Sequence, residues 1–156
     1  MVLTETVPGA LPKQRSRWPF FLCLALLALI VAYLLFKVPE WQNDEKLAQL
    51  EDRVHMLPLP PDTELDISSA MQGTVGIQAA NGDHCDYLVR MPLLTTLPDA
   101  EIARYYESAA VEGVAGRKLS GTVYVNPSGS RPDGFKDVIV EFFDTGYDPG
   151  FDVRCH

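Results

Sequence analysis

The sequence predicts an α+β protein: a single N-terminal transmembrane helix, then a small β-β-α-β-β domain with one helix packed on an antiparallel sheet. Three observations carry this. Residues 18–36 contain no charged side chain. Beyond residue 62, alternating apolar runs bounded by turn residues surround one run of helical period. Two cysteines, Cys85 and Cys155, fall within that second part. The length of 156 residues has room for one ordinary domain plus an appendage. A formal charge of −8 argues against a chain whose main work is holding nucleic acid, and an apolar share of 47% argues against a disordered acidic tail.

The 19 residues from Trp18 to Phe36 rise about 28 Å as a helix, close to the ~30 Å hydrocarbon thickness of a bilayer. Apolar side chains surround the whole circumference, whereas a soluble helix keeps a polar face. Pro19 suits a first turn, Pro39 lies just past the far end, and Trp18 and Trp41 flank the run at headgroup level. Residues 1–37 hold four basic side chains and one acidic; residues 38–156 hold nine basic and twenty acidic. Lys13, Arg15 and Arg17 directly precede the run, so the positive-inside rule keeps residues 1–17 in the cytoplasm and exports the chain beyond the helix. The rival reading is a cleaved signal peptide, which needs a shorter apolar region and a small-x-small site. Ala25, Ala28 and Ala32 are spaced three and four apart and provide none. Cys23, preceded by Leu22 and followed by more apolar residues, is not a lipobox cysteine. The expectation is an uncleaved signal anchor in the cytoplasmic (inner) membrane, its C-terminal domain extracytoplasmic or periplasmic. The same layout suits a eukaryotic type II protein. The triplet Asn126-Pro127-Ser128 is no glycosylation acceptor because of its proline.

Residues 37–61 read as a juxtamembrane helical stalk and a proline-rich connector. Leu47, Leu50, Val54 and Leu57 recur at 3-4-3 spacing, about two heptads, too few to secure a coiled coil. The stripe either packs on the domain below or forms a homodimer seam within residues 18–57. Pro58, Pro60 and Pro61 end the helix.

Residues 62–156 form the exported domain. Thr74 to Ala79 alternates, Asn81-Gly82-Asp83 is turn chemistry, and Cys85, Tyr87, Val89 and Met91 share a face, giving a hairpin. His84, Asp86 and Arg90 take the other face. Pro98 and Asp99 open a helix through about Val111, with Ile102, Tyr105, Tyr106 and Ala109 as its stripe and Gly113 and Gly116 at its end. Adjacent Tyr105 and Tyr106 cannot share one face, so one is core and the other rim. Thr122–Val125 and Asp137–Asp144 are two further strands, the last central, separated by a long loop from Asn126 to Gly134. Phe151 to Cys155 adds a short edge strand. Strand parity turns Cys85 and Cys155 inward and His84 and His156 outward.

Two cysteines in an oxidising compartment make a disulfide between Cys85 and Cys155 the expectation. The pairs His84-Cys85 and Cys155-His156 also supply four zinc-type ligands, but adjacent strand residues point apart and the spacing matches no zinc motif. No metal and no cofactor is expected. Asp144, Asp148 and Asp152 recur every fourth residue, which fails calcium-loop spacing and reads as solvated turn carboxylates or local caps. Arg117, Lys118, Arg131 and Lys136 flank the third strand and form a candidate anion-binding rim, against which stands ordinary surface charge. No nucleophile elbow, phosphate loop or metalloprotease helix occurs, so the sequence argues against an enzyme. The remaining catalytic reading is a small envelope hydrolase using His84 and Asp86. The expected function is a membrane-anchored binding or assembly module of unspecified ligand. Its alternative is an accessory subunit of a membrane complex acting through its transmembrane helix and stalk. The expected partners are the lipid bilayer and a protein or second copy met through residues 18–57, with no nucleic acid.

Overall fold

In the computed structural model, which describes residues 17–78, 82–126 and 134–156, the charge-free run is helical throughout. Helix α1 covers Trp18–His55. Its N-terminal part is long and apolar enough to cross a membrane, and the side chains of residues 18–36 are all exposed. Pro39 lies inside the helix rather than past its end. It removes the N–H that would bond to the Leu35 carbonyl, a defect one helical turn tolerates when the flanking residues hold the backbone. The chain divides into two compact units, Met1–Leu34 and Leu35–His156. The second contains the C-terminal part of α1 and every strand.

The strands are β1 (Thr63–Leu65), β2 (Gln72–Gly76), β3 (Cys85–Thr95), β4 (Val111–Glu112), β5 (Lys118–Leu119), β6 (Gly121–Val125) and β7 (Lys136–Tyr147). Helix α2 covers Asp99–Ser108, and a 3-10 turn covers Val153–Cys155. The main sheet runs β1-β3-β7-β6, with β2 also paired to β3, and every pairing is antiparallel. The two long strands are therefore central, and β1 and β2 share one edge of β3.

Register explains the core. Val89 stands opposite Phe142, Met91 opposite Val140, and Leu93 opposite Val138. All six side chains are buried. Against them pack Ile102 and Tyr106 of α2 and Leu50 and Val54 of α1. The leucine stripe of the stalk thus fills the chain's own core, the stalk lies within the compact unit, and no copy of the chain is needed to cover Leu50 and Val54. Gly121 permits the close approach of α2: a Cβ there would lie 2.8 Å from Val140 and 3.1 Å from the Tyr106 Cβ. Tyr106 sits edge-on to Phe142 with centroids 6.4 Å apart. Its hydroxyl is buried without a hydrogen-bond partner. Tyr105 is the rim member, donating to the Pro58 carbonyl at 2.7 Å and so holding the connector.

Several expectations are corrected. Helix α2 ends at Ser108, and Val111–Glu112 instead pairs with Lys118–Leu119 as a small second sheet. Gly116, at φ +76°, serves the turn of that hairpin rather than a helix end. Strand β1 was not legible, because three residues carry too little alternation. The tail does not form an edge strand: Val153–Cys155 is a 3-10 turn, with Phe151 and Val153 exposed and Asp152 and Cys155 buried. Further expectations rest partly outside the described residues, namely the basic tail before the apolar run, the alternation at Ala79, the turn at Asn81 and most of the loop between Asn126 and Gly134.

Replacing Leu50 with Ala should lower unfolding stability by about 2–5 kcal/mol. Tyr106→Phe should leave it unchanged or raise it by up to about 1 kcal/mol, since it removes an unpaired hydroxyl without changing shape. Thermal melts of the detergent-solubilised chain measure both. An unaffected Leu50→Ala protein would mean that α1 does not contribute to the core.

Candidate functional site

Two clusters hold several of the residues singled out by the sequence, and a groove is the third feature. The first surrounds the disulfide. Cys85 and Cys155 are bonded, with Cα atoms 4.8 Å apart and a sequence separation of 70. Both are fully buried. Asp152 joins the two cysteines within 4.8 Å, but the sulfurs are spent on each other and cannot act as two thiolates. The histidines of the alternative zinc reading point elsewhere: His84 Nε2 lies 3.2 Å from Asp86. His156 Nε2 lies 3.2 Å from the Gly150 carbonyl oxygen.

Asp152 is buried rather than solvated. Arg154 grips it through two hydrogen bonds, Nε to Oδ1 at 2.9 Å and Nη2 to Oδ2 at 2.7 Å. Asn43 of α1 donates to Oδ2 at 2.9 Å and accepts from the Tyr87 hydroxyl at 2.8 Å. Arg154 reaches on to the Asp44 carboxylate at 2.7 Å and the Glu40 carbonyl at 3.2 Å. The guanidinium of Arg154 holds the Asp152 carboxyl down at about 2, despite the opposing effect of burial. Burial pushes the Tyr87 phenol up to about 12. The sequence suggested a cap for Asp152, and its side chain does accept from the Arg154 N–H at 3.1 Å. Its burial was not legible, because the contact with Asn43 spans 109 residues.

The second cluster centres on Asp86. Strand parity points it outward, yet it is fully buried. The cause is a bulge: Cys85 faces Tyr147 but Tyr87 faces Asp144, so β7 carries one extra residue at Thr145–Gly146. Gly146 takes φ +85°, open to glycine. The bulge folds over Asp86, whose Oδ1 accepts from the Gly146 N–H at 3.2 Å and from the Thr145 hydroxyl. Its Oδ2 accepts from the Gln78 N–H at 3.0 Å. Both carboxylate oxygens are thus engaged in holding strand ends together. The pairing of His84 with Asp86 exists, and the Thr145 hydroxyl donates to the same carboxylate.

The members of the candidate anion rim do not converge. Arg117 donates to Asp144 at 2.7 Å and lies 5.1 Å over the Tyr147 ring. Asp144 is buried, not solvated, and also accepts from Val114 N–H at 2.8 Å and Tyr147 hydroxyl at 2.6 Å. Lys136 pairs with Asp99, and Lys118 stands opposite Glu112. Lys136 and Asp144 are eight residues apart on β7, about 26 Å at ~3.3 Å per residue. Arg117 and Lys136 therefore work at opposite ends of that strand. Arg131 lies outside the described residues.

The third feature is a groove that sequence reasoning missed. On the sheet face opposite α2, Arg90 stands across from Glu141 and Pro92 across from Ile139. The connection between β1 and β2 stands beside them, with the Asp66 N–H bonded to the Pro92 carbonyl at 3.1 Å. Between them lies a cavity of about 540 Å³, lined by Asp66, Ser68, Ser69, Gln72, Arg90, Asn126, Asp137 and Ile139 among others. Its walls combine hydroxyl, amide and charged groups with a short apolar floor. Arg90 is paired with Glu141 at 2.6 Å. The alternation of β7 between Val138 or Val140 and Ile139 was the available signal: it marks two faces, but not what covers the second.

No family model matches the chain, and neither the curated proteins nor the solved structures contain a match.

This geometry has two measurable consequences. Asp152, ionised with its pKa depressed below the ordinary ~3.9, stabilises the fold above about pH 4, and that contribution, about 2 kcal/mol, is lost as the pH falls towards 2. Asp152→Asn should flatten the melting temperature over that interval; an unchanged pH profile would refute the assignment. Asp86→Ala should cost about 2–4 kcal/mol by stranding its buried donors, while His84→Ala should cost under about 1. Denaturation of both variants discriminates a structural carboxylate from a dispensable one.

Proposed function

We propose that the chain is a single-pass, membrane-anchored binding or assembly module whose C-terminal domain is displayed in an oxidising, extracytoplasmic compartment. The observation that carries the reading is the combination of an exposed apolar helix over residues 18–36 with a buried disulfide between Cys85 and Cys155. The first is costly in water and favoured in lipid. The second is stable where thiols are not kept reduced. The basic residues Lys13, Arg15 and Arg17 before the helix favour an N-terminus in the cytosol, as in a bacterial inner membrane.

The groove over Pro92 and Ile139 is the binding surface in this reading. Its serine, asparagine and glutamine side chains suit a polar ligand, and Asp66, Arg90 and Asp137 favour one with groups of both signs. The closed, internally paired state of Asp86, Asp144 and Asp152 supports binding over hydrolysis, because these buried carboxylates are already committed to the fold.

A reporter that is active only outside the cytosol, fused behind His156, should be active, and the protein should remain in the membrane fraction at full length. Non-reducing mass spectrometry of the same preparation should recover the Cys85–Cys155 peptide pair. Cytosolic activity of a matched reporter, or a shortened soluble product, would overturn the reading.

A further inference from the structure

The C-terminal segment lies along one face of the helical part of the compact unit. Phe151 meets Phe36 with ring centroids 6.1 Å apart. Arg154 then bonds the Glu40 carbonyl, and Asp152 bonds Asn43. Positions 36, 40 and 43 share the i, i+4, i+7 spacing of one helix face. The Cys85–Cys155 bond fixes the far end of this segment. Phe151 is therefore held in place, yet it is 56% exposed, and Phe36 beside it is 51% exposed.

Phe36 is also the last residue of the charge-free run. A span beginning at Trp18 brings it to the edge of a ~30 Å hydrocarbon layer, beyond which headgroups extend roughly 5–7 Å further. A ring centred 6.1 Å from Phe36 belongs to that boundary zone. We infer that Phe151 is a second membrane contact, inserting its ring among the lipid chains just below the headgroups and so fixing how the displayed domain is oriented over the bilayer. The inference rests on the membrane-anchored reading above. The charges near this helix face are paired, Lys37 with Glu40 at 2.6 Å and Arg154 with Asp44 at 2.7 Å. The contact is accordingly apolar, and it does not require anionic lipid.

The test uses the full chain in phosphatidylcholine vesicles, with a fraction of the lipid brominated near the headgroup end of its chains as a tryptophan quencher. In a Trp18→Phe, Trp41→Phe background, Phe151→Trp is compared with Tyr124→Trp, a residue of β6 that is 53% exposed. A tryptophan at 151 should be quenched at least twofold more strongly than one at 124, with the disulfide intact in both. Equal quenching would overturn the inference. A Trp41→Phe protein, whose Trp18 reports the span itself, separates the two failures. Quenched Trp18 with unquenched 151 defeats this inference alone, whereas unquenched Trp18 defeats the anchored reading as well.

Discussion

The second compact unit depends on the way Asn43 is buried. A helix that presents an amide to an apolar interior must satisfy that amide or lose stability. Here Asp152, Tyr87 and Lys46 do so, at 2.9, 2.8 and 3.1 Å. Asp152 is itself gripped by Arg154, and both flank the Cys85–Cys155 bond. One network thus joins α1, the start of β3 and the chain terminus. The covalent bond removes disorder from the unfolded chain, about 4 kcal/mol for a loop of this size in the chain-entropy model. The polar contacts decide which face of α1 turns inward, and Leu50 and Val54 are carried with it onto the sheet.

The sheet then has two unlike faces. One is filled by Leu50, Val54, Ile102 and Tyr106, and its register leaves Gly121 where α2 comes closest. Among the described residues no helix covers the other; Arg90, Glu141 and Ile139 stand there beside the β1–β2 connection, and the groove is what remains between them. Every buried carboxylate among the described residues belongs to the ends of β3 and β7 or to the tail after them. Asp86 secures the bulge, Asp144 secures the β4–β5 hairpin through Val114 and Arg117, and Asp152 secures α1. These groups hold irregular backbone in place, which is where main-chain donors lack ladder partners.

Local patterning was legible in the long elements. The alternation of Cys85, Tyr87, Val89 and Met91 and of Val138, Val140 and Phe142 marks buried strand faces, and all seven are buried. The 3-4-3 stripe of Leu47, Leu50, Val54 and Leu57 marks an apolar helix face, although its partner could be another copy or the chain's own domain. Parity put Asp86 on the face of His84, which it meets at 3.2 Å, but gave no sign that a bulge on the neighbouring strand buries it. It reached the right burial for Cys155 by the wrong route, since the tail is a 3-10 turn. The four basic residues of the rim looked contiguous because their loops flank one strand in sequence, but Arg117 and Lys118 sit at the β4–β5 hairpin whereas Lys136 begins β7.

Sequence alone determined the apolar helix, the helix-and-sheet composition of the remainder and the cysteine pair, because each comes from side-chain chemistry at short spacing or from the scarcity of alternatives. Tertiary structure decided that α1 continues through Pro39 into the core, that three aspartates are interior, and that a groove lies on the second face of the sheet. Those outcomes depend on contacts such as that of Asn43 with Asp152, 109 positions apart. Their energy comes from desolvating and pairing groups that no local window brings together.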